Sequence, residues 1–153
     1  MLFRSDSTYS HIAWLRAIME KIDYKGMKGV EVTFPVISDL TMEVSRAFGM
    51  LQPASSTTQA VRAVYIIDPE AVVRAILFYP SSNGRNMDEV LRLLKAMQLS
   101  DQHKVATPAN WQPGDDVIVP PPGSCGSAKE RTASPGEGTT VLDWFMTLKK
   151  CPK

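Results

Sequence analysis

The stretch AVRAVYIIDPEAVVRAILFYP, residues 60–80, contains two apolar runs separated by a turn signal. The first run, residues 61–67, places apolar groups on both faces of an extended chain, which is typical of an interior strand covered on both sides. Asp68-Pro69-Glu70 predicts a turn, because proline fixes φ and an aspartate side chain can bond the backbone beyond it. The second run, residues 72–79, follows at once. The stretch therefore predicts a hairpin of two strands.

Two arginines flank this hairpin. Arg62 opens the first strand and Arg85 lies just past the end of the second, so the hairpin brings both guanidinium groups to the same end. A guanidinium keeps its charge in proteins, so each group needs an anionic partner or a route to water. The residues alone leave two interpretations of Arg62 open, an anion-binding side chain or a strand-end arginine that reaches solvent. For Arg85 they favour an exposed turn residue.

Helical and extended segments alternate around the hairpin. Apolar spacing predicts a helix over residues 7–22, alternation predicts a strand over residues 30–34 ended by Pro35, and a short helix over residues 42–48 ends at Gly49. Leu2 and Phe3 indicate the end of a further strand, and residues 51–60 form a loop by composition. Asn86-Met87-Asp88-Glu89 resembles a capping box that opens a long helix. This order predicts an α/β sandwich.

Beyond about residue 103 the composition changes, because proline and glycine become frequent. We expect an extended arm with isolated strands rather than a second core. Its last apolar stretch, residues 141–148, predicts an edge strand or a docking segment for a partner. Trp111 and Trp144 are expected to be packing anchors, since buried indoles carry a large contact area.

Bulk composition narrows the class of protein. The chain has 153 residues, 44% hydrophobic and 22% charged, with a formal net charge of +1. This composition suits one globular domain and gives no bulk attraction to nucleic acid or to anionic membranes. No apolar run is long enough to span a bilayer and no signal peptide is evident, so a cytoplasmic protein is expected. Cys125 and Cys151 are too few for a zinc site, and they are expected to be free thiols or one redox-active pair.

Six blocks of the sequence resemble, in order, the peroxiredoxins, and specifically their one-cysteine-like group with a long C-terminal arm. The blocks are DSTYSHIAW (6–14), FPVISD (34–39), FGML (48–51), VRAVYIIDP (61–69), ILFYPSSNGRNMDEVLRLLKAMQL (76–99) and VATPANWQPGDDVIVPP (105–121). The resemblance implies an α/β, thioredoxin-like fold, with a core over residues 1–102 and a dimerisation arm over residues 103–153. It also implies reduction of hydroperoxides by a cysteine thiolate, with no cofactor and no metal.

The sequence departs from this family at the nucleophile. The family's peroxidatic cysteine lies in a proline- and threonine-bearing loop at a helix start, and no such motif occurs here. We therefore expect an N-terminally incomplete core that is inactive alone. The resemblance assigns Arg62 to the active-site arginine that stabilises thiolate and peroxide, and Arg85 to a second arginine close to the same pocket.

The remaining assignments concern interfaces and thiols. His11 by itself is expected to be a packing or interface histidine rather than a base, and the resemblance places His11, Trp14 and Trp144 at subunit contacts. Cys151 and Cys125 are candidate resolving thiols. The expected partners are a peroxide, a thiol reductant of the thioredoxin or small-thiol type, and further copies in a homodimer or larger ring. Two alternatives stay open: a non-catalytic oligomerising or interaction module, and a thiol sensor that uses Cys125 and Cys151.

Overall fold

The fold begins with two short parallel strands joined through a helix. The computed structural model describes residues 1–52 and 59–152, and in it β1 (Leu2–Arg4) pairs with β2 (Val36–Ser38). Between them, α1 (Thr8–Lys21) is capped by Ser7, whose side chain accepts a hydrogen bond from the Ser10 backbone N–H. The predicted first helix and the short strand at Leu2 are confirmed.

The strand predicted over residues 30–34 is wrong. Those residues are outside regular secondary structure, and the strand lies on the other side of Pro35. Pro35 has no N–H to donate, but its carbonyl accepts a hydrogen bond from the Leu2 N–H at 2.9 Å, and the pairing of the two strands starts there. The alternating residues 30–34 form no strand because, among the described residues, no other strand pairs with them.

The short helix α2 (Glu43–Ala47) is anchored by a buried carboxylate. Asp39 accepts hydrogen bonds from the Val44 N–H at 3.0 Å, the Ser45 N–H at 2.8 Å and the Ser45 hydroxyl at 2.6 Å. Burial by itself raises the pKa of Asp39, but these bonds favour the charged form and together lower it below the ordinary value. Gly49 ends the helix in the left-handed region, as predicted.

The predicted hairpin is confirmed. β3 (Arg62–Ile67) and β4 (Val73–Tyr79) form an antiparallel pair, and Asp68 Oδ1 accepts hydrogen bonds from the Glu70 and Val72 N–H groups in the turn. The expectation that β3 is covered on both faces is wrong, because its residues are exposed or half-buried. In the described part of the chain this sheet has two strands, so fewer apolar side chains are available to cover its faces. Most of the loop predicted at residues 51–60 lies outside the described residues.

An aromatic chain joins these elements. Phe48 contacts Phe3 on one side and Tyr65 on the other, with ring centroids 5.7 and 5.0 Å apart, and Tyr65 also packs edge-on against Phe78. The Tyr65 hydroxyl donates a hydrogen bond to the Phe48 carbonyl. These contacts fix the end of α2 against β3.

The chain divides into two compact units, Met1–Arg85 and Asn86–Lys153. The second unit begins with α3 (Met87–His103), and the Asn86 side chain caps it by accepting hydrogen bonds from the Asp88 and Glu89 N–H groups. The capping box is not reciprocal, because the Glu89 carboxylate binds Arg92 instead. The predicted functional boundary between residues 102 and 103 stays a prediction.

The arm is more regular than predicted. β5 (Val117–Val119), β6 (Thr139–Asp143) and β7 (Met146–Lys149) form one antiparallel sheet in the order β5-β7-β6, so the expectation of isolated strands is wrong. The apolar stretch at residues 141–148 is a hairpin, so the predicted edge strand is confirmed for β6 and is wrong for β7, which is central. The alternative, a docking segment for a partner, stays a prediction. An additional helix, α4 (Cys125–Ala133), was not predicted because it carries no apolar stripe. No helix in the described ranges is both long and apolar enough to cross a membrane.

The two arm tryptophans differ in burial. Trp111 is 3% exposed, and its indole N–H donates to the Asp115 carbonyl at 3.0 Å, so its prediction as a packing anchor is confirmed. Trp144 is 51% exposed in the turn between β6 and β7, so the same prediction for Trp144 is wrong.

We expect Asp39→Asn to lower the free energy of unfolding of the chain by about 1–3 kcal/mol, because charge-assisted bonds to buried groups are lost. The folded-state pKa of Asp39 is lowered, so its contribution is complete above the unfolded value of about 3.9 and is lost as pH falls through the folded value. Urea unfolding between pH 2 and 7 measures this. Asp23→Asn, which removes an exposed carboxylate from the same unit, is the control and should change stability by less than about 0.5 kcal/mol. A loss for Asp39→Asn that is constant with pH would contradict this role.

We expect Trp111→Ala to destabilise the second unit by about 3–5 kcal/mol, because it leaves a cavity the size of an indole. Trp144→Ala removes the same side chain from a half-exposed position and should cost less than about 1 kcal/mol. Thermal unfolding followed by circular dichroism compares the two, and equal losses would refute the assignment of Trp111 as the anchor.

Candidate functional site

A cleft of about 770 Å³ lies in the first unit, between β1, the end of α2 and β3. Its walls are mainly apolar and include Phe3, Phe48, Met50, Val61, Val64 and Tyr65. Three arginines also line it, Arg4, Arg62 and Arg85, and Asp6 is the one acidic residue among the described lining residues. The cleft therefore combines an apolar wall with a concentrated positive charge.

The hairpin places Arg62 and Arg85 in this cleft. Arg62 is the first residue of β3 and pairs with Tyr79, the last residue of β4. A turn closed by a hydrogen bond from the Asn83 N–H to the Pro80 carbonyl follows β4, and Arg85 lies two residues beyond it. Arg62 is exposed and Arg85 is half-buried. The structure thus brings together the two arginines that the sequence placed at one end of the hairpin.

The charges of these arginines act on each other. Burial lowers the pKa of Arg85, and the positive charges of Arg62 and Arg4 lower it further, whereas Tyr79 acts in the opposite direction. In the described ranges, no carboxylate forms an ion pair with Arg62 or Arg85. Two uncompensated guanidinium groups at one cleft constitute a site that an anion would stabilise.

Arg4 is the third cation, and it has a partner. Its Nε and Nη2 atoms contact Asp6 Oδ2 at 2.9 and 2.7 Å, and its guanidinium lies over the Trp14 ring, 4.8 Å from the centroid. The Asp6 carbonyl in turn accepts a hydrogen bond from the Ser38 hydroxyl at 2.7 Å. Sequence reasoning missed Arg4 and Asp6. The available signal was the pair of opposite charges two positions apart at the end of a short strand.

Of the other predicted site residues, Trp14 also lines the cleft, and the rest are not among its described lining residues. His11 is 4% exposed, and its Nε2 has no hydrogen-bond partner among the described residues. Trp14 is half-buried beneath Arg4. Trp144 packs edge-on against Phe145 and lines a second cavity in the other unit. The predicted interface roles of His11, Trp14 and Trp144 stay predictions.

Both cysteines belong to the second unit and are free thiols. Cys125 is exposed at the first position of α4 and lines the second cavity, while Cys151 is half-buried next to the Pro152 carbonyl. The first unit contains no cysteine. No group of three or more potential metal ligands occurs within the part of the chain that the structure describes. The resolving-thiol and thiol-sensor roles of Cys125 and Cys151 stay predictions.

Comparison with known families identifies two matching segments. The AhpC/TSA family model matches residues 2–76, and the model of the C-terminal domain of 1-Cys peroxiredoxin matches residues 96–132. A peroxiredoxin of Methanosarcina mazei is 62% identical over 145 residues, and one of Archaeoglobus fulgidus is 48% identical over 150 residues. Each alignment covers 95% of this chain and 66% of the relative, so the chain spans just under two thirds of their length.

Solved structures give the same result. A yeast mitochondrial 1-Cys peroxiredoxin has a TM-score of 0.77 and 34% identity, with 97% of this chain and 68% of that chain covered. A cysteine-to-serine mutant of peroxiredoxin 6 of Arenicola marina has a TM-score of 0.76 and 31% identity, with 99% and 69% covered. The predicted thioredoxin-like fold is therefore confirmed, and the chain belongs to the peroxiredoxin family.

Proposed function

We propose that this chain supplies the anion-binding arginines of a thiol-dependent peroxidase that reduces hydrogen peroxide and alkyl hydroperoxides. The observation that carries the proposal is the pair Arg62 and Arg85, which line one cleft without a carboxylate partner among the described residues. Membership of the peroxiredoxin family supports the reaction class. The reductant, a thioredoxin-like protein or a small thiol, and a homodimeric or larger assembly are part of the proposal, as is a cytoplasmic location.

The chemistry requires positive charge at two stages. A cysteine thiolate attacks one peroxide oxygen, an S–O bond forms as the O–O bond breaks, and the leaving oxygen takes a proton to become water or an alcohol. Nearby cations favour the thiolate over the thiol before the reaction. Their N–H donors then stabilise the charge that develops on the leaving oxygen. A thiol of the reductant or a resolving cysteine condenses with the sulfenic acid, which gives a disulfide and water.

Arg62 and Arg85 suit different parts of this task. Arg62 is exposed at the end of β3 and keeps its donors available to a ligand. Arg85 is half-buried, and its pKa is lowered first by burial and then by the positive charges of Arg62 and Arg4, so holding a second cation here is unfavourable. Arginine stays protonated at neutral pH even when its pKa falls, so this cost persists until an anion enters. We infer that thiolate or peroxide oxygen relieves it.

We further propose that neither Cys125 nor Cys151 is the attacking nucleophile. Neither lies in a proline- and threonine-bearing loop of the kind the family uses. Cys151 and Cys125 stay candidates for the resolving step.

The purified 153-residue chain should consume hydrogen peroxide no faster than an equal concentration of a free thiol. Peroxide loss is followed with a dithiol reductant and compared with the Cys125→Ser/Cys151→Ser double variant. Rapid consumption that disappears in the double variant would show that one of these thiols is the nucleophile and would overturn this part of the proposal.

The arginine cleft should bind a small oxyanion, for which sulfate is the probe. We expect Arg62→Gln and Arg85→Gln each to weaken sulfate binding about tenfold, equivalent to about 1.4 kcal/mol, because each removes charge-assisted hydrogen bonds. Arg16→Gln, at an exposed position of α1 away from the cleft, is the charge-matched control. Titration calorimetry at constant ionic strength measures the affinities.

Thermal unfolding separates loss of the site from loss of the fold. Removal of one of two like charges relieves repulsion, so Arg62→Gln and Arg85→Gln should unfold at the same or a higher temperature than the unsubstituted chain. Equal weakening of sulfate binding by all three substitutions would indicate a general charge effect and would contradict a built site.

A further inference from the structure

Arg4 is held at the cleft in a way that leaves part of its guanidinium free. Its Nε and Nη2 atoms contact one oxygen of Asp6, and within the described residues its Nη1 atom has no hydrogen-bond partner. Trp14 covers one face of the group at 4.8 Å and thereby restricts its orientation. A guanidinium has five N–H donors, so the pair with Asp6 leaves donors for a ligand.

The bond between Arg4 and Asp6 is also one that a ligand can displace. The side chains are 39% and 45% exposed, and ion pairs of this kind contribute little because water and salt screen them. Arg4 already affects the cleft, because its charge contributes to the lowered pKa of Arg85.

Among the described residues that line the cleft, Asp6 therefore provides the only negative charge beside three arginines. It offsets the charge of Arg4 and leaves Arg62 and Arg85 as the uncompensated pair. Two further hydrogen bonds hold the backbone of this segment. The Asp6 carbonyl accepts one from the Ser38 hydroxyl, and the Arg4 carbonyl accepts one from the Asp39 N–H at 2.8 Å.

We propose that Arg4 is a third anion-binding residue of this cleft and that Asp6 restrains it, so that the pair sets how strongly the cleft holds a small oxyanion. This inference rests on the proposed function of Arg62 and Arg85 and extends it. An anion with several oxygens displaces Asp6 from Arg4 and gains a third guanidinium. An uncharged peroxide has no such effect on the pair, so Asp6 makes the resting cleft less attractive to competing anions.

A double-mutant cycle on Arg4 and Asp6 tests this proposal, with sulfate as the probe and the full 153-residue chain as the protein. Asp6→Asn keeps the shape and the backbone carbonyl and removes the carboxylate charge. We expect it to strengthen sulfate binding about tenfold, because Arg4 is then free to contact the anion. In the Arg4→Gln background the same change should strengthen binding only about two- to threefold, since only the repulsion by Asp6 is removed.

The outcomes are distinguishable. Equal gains in the two backgrounds would show that Asp6 acts by charge alone and would overturn a direct role of Arg4. Arg4→Lys, which keeps the charge and loses the fork, should give a gain between those two values if the guanidinium contacts the anion. Unchanged sulfate binding in Arg62→Gln and Arg85→Gln would refute the proposed function itself, whatever the cycle gives. Circular dichroism of each variant confirms that the comparison is between folded chains.

Discussion

The arginine cleft depends on the hydrogen bonds made by the buried residue Asp39. Its side chain holds the start of α2 through Val44 and Ser45, while its own N–H donates to the Arg4 carbonyl on β1. From α2 the connection continues to β3, because the Ser45 carbonyl accepts the Met50 N–H and the Met50 carbonyl accepts the Val61 N–H. Arg62 is the next residue. Asp39 therefore bonds the strand that carries Arg4 through its backbone and α2 through its carboxylate, and backbone hydrogen bonds continue from α2 to the strand that carries Arg62.

This arrangement also explains why charge can be concentrated at the cleft. The aromatic contacts of Phe48 with Phe3 and Tyr65 form an apolar wall that needs no polar partner. That apolar wall and the hydrogen bonds of Asp39 stabilise this part of the fold, and both lie beside the arginines rather than among them. The cleft can therefore hold two uncompensated cations whose mutual repulsion is unfavourable in the resting state. Sites that bind an anion commonly carry such a cost, and the ligand offsets it.

Sequence reasoning succeeded where the signal was local. The Asp68-Pro69 turn, the Asn86 cap and the Gly49 helix end each depend on neighbours within a few residues, and the structure has all three. It failed where pairing between distant segments decides the outcome. Residues 30–34 alternate as a strand should, yet the strand forms at Val36–Ser38, where β1 lies alongside. The arm strands form one sheet because β7 pairs on both edges, which no local pattern indicates.

The sequence by itself determined the hairpin, and with it the convergence of Arg62 and Arg85, because two strands joined by a tight turn must bring their outer ends together. The six blocks that resemble the peroxiredoxins can likewise be recognised from the amino-acid sequence alone. Only the tertiary structure decided that Arg4 joins these arginines and that Asp6 offsets its charge. Arg4 is separated from Arg62 by 57 intervening residues, and their proximity depends on β1, Asp39 and α2 packing against β3. Charged side chains so far apart in the sequence come close only when the chain is packed.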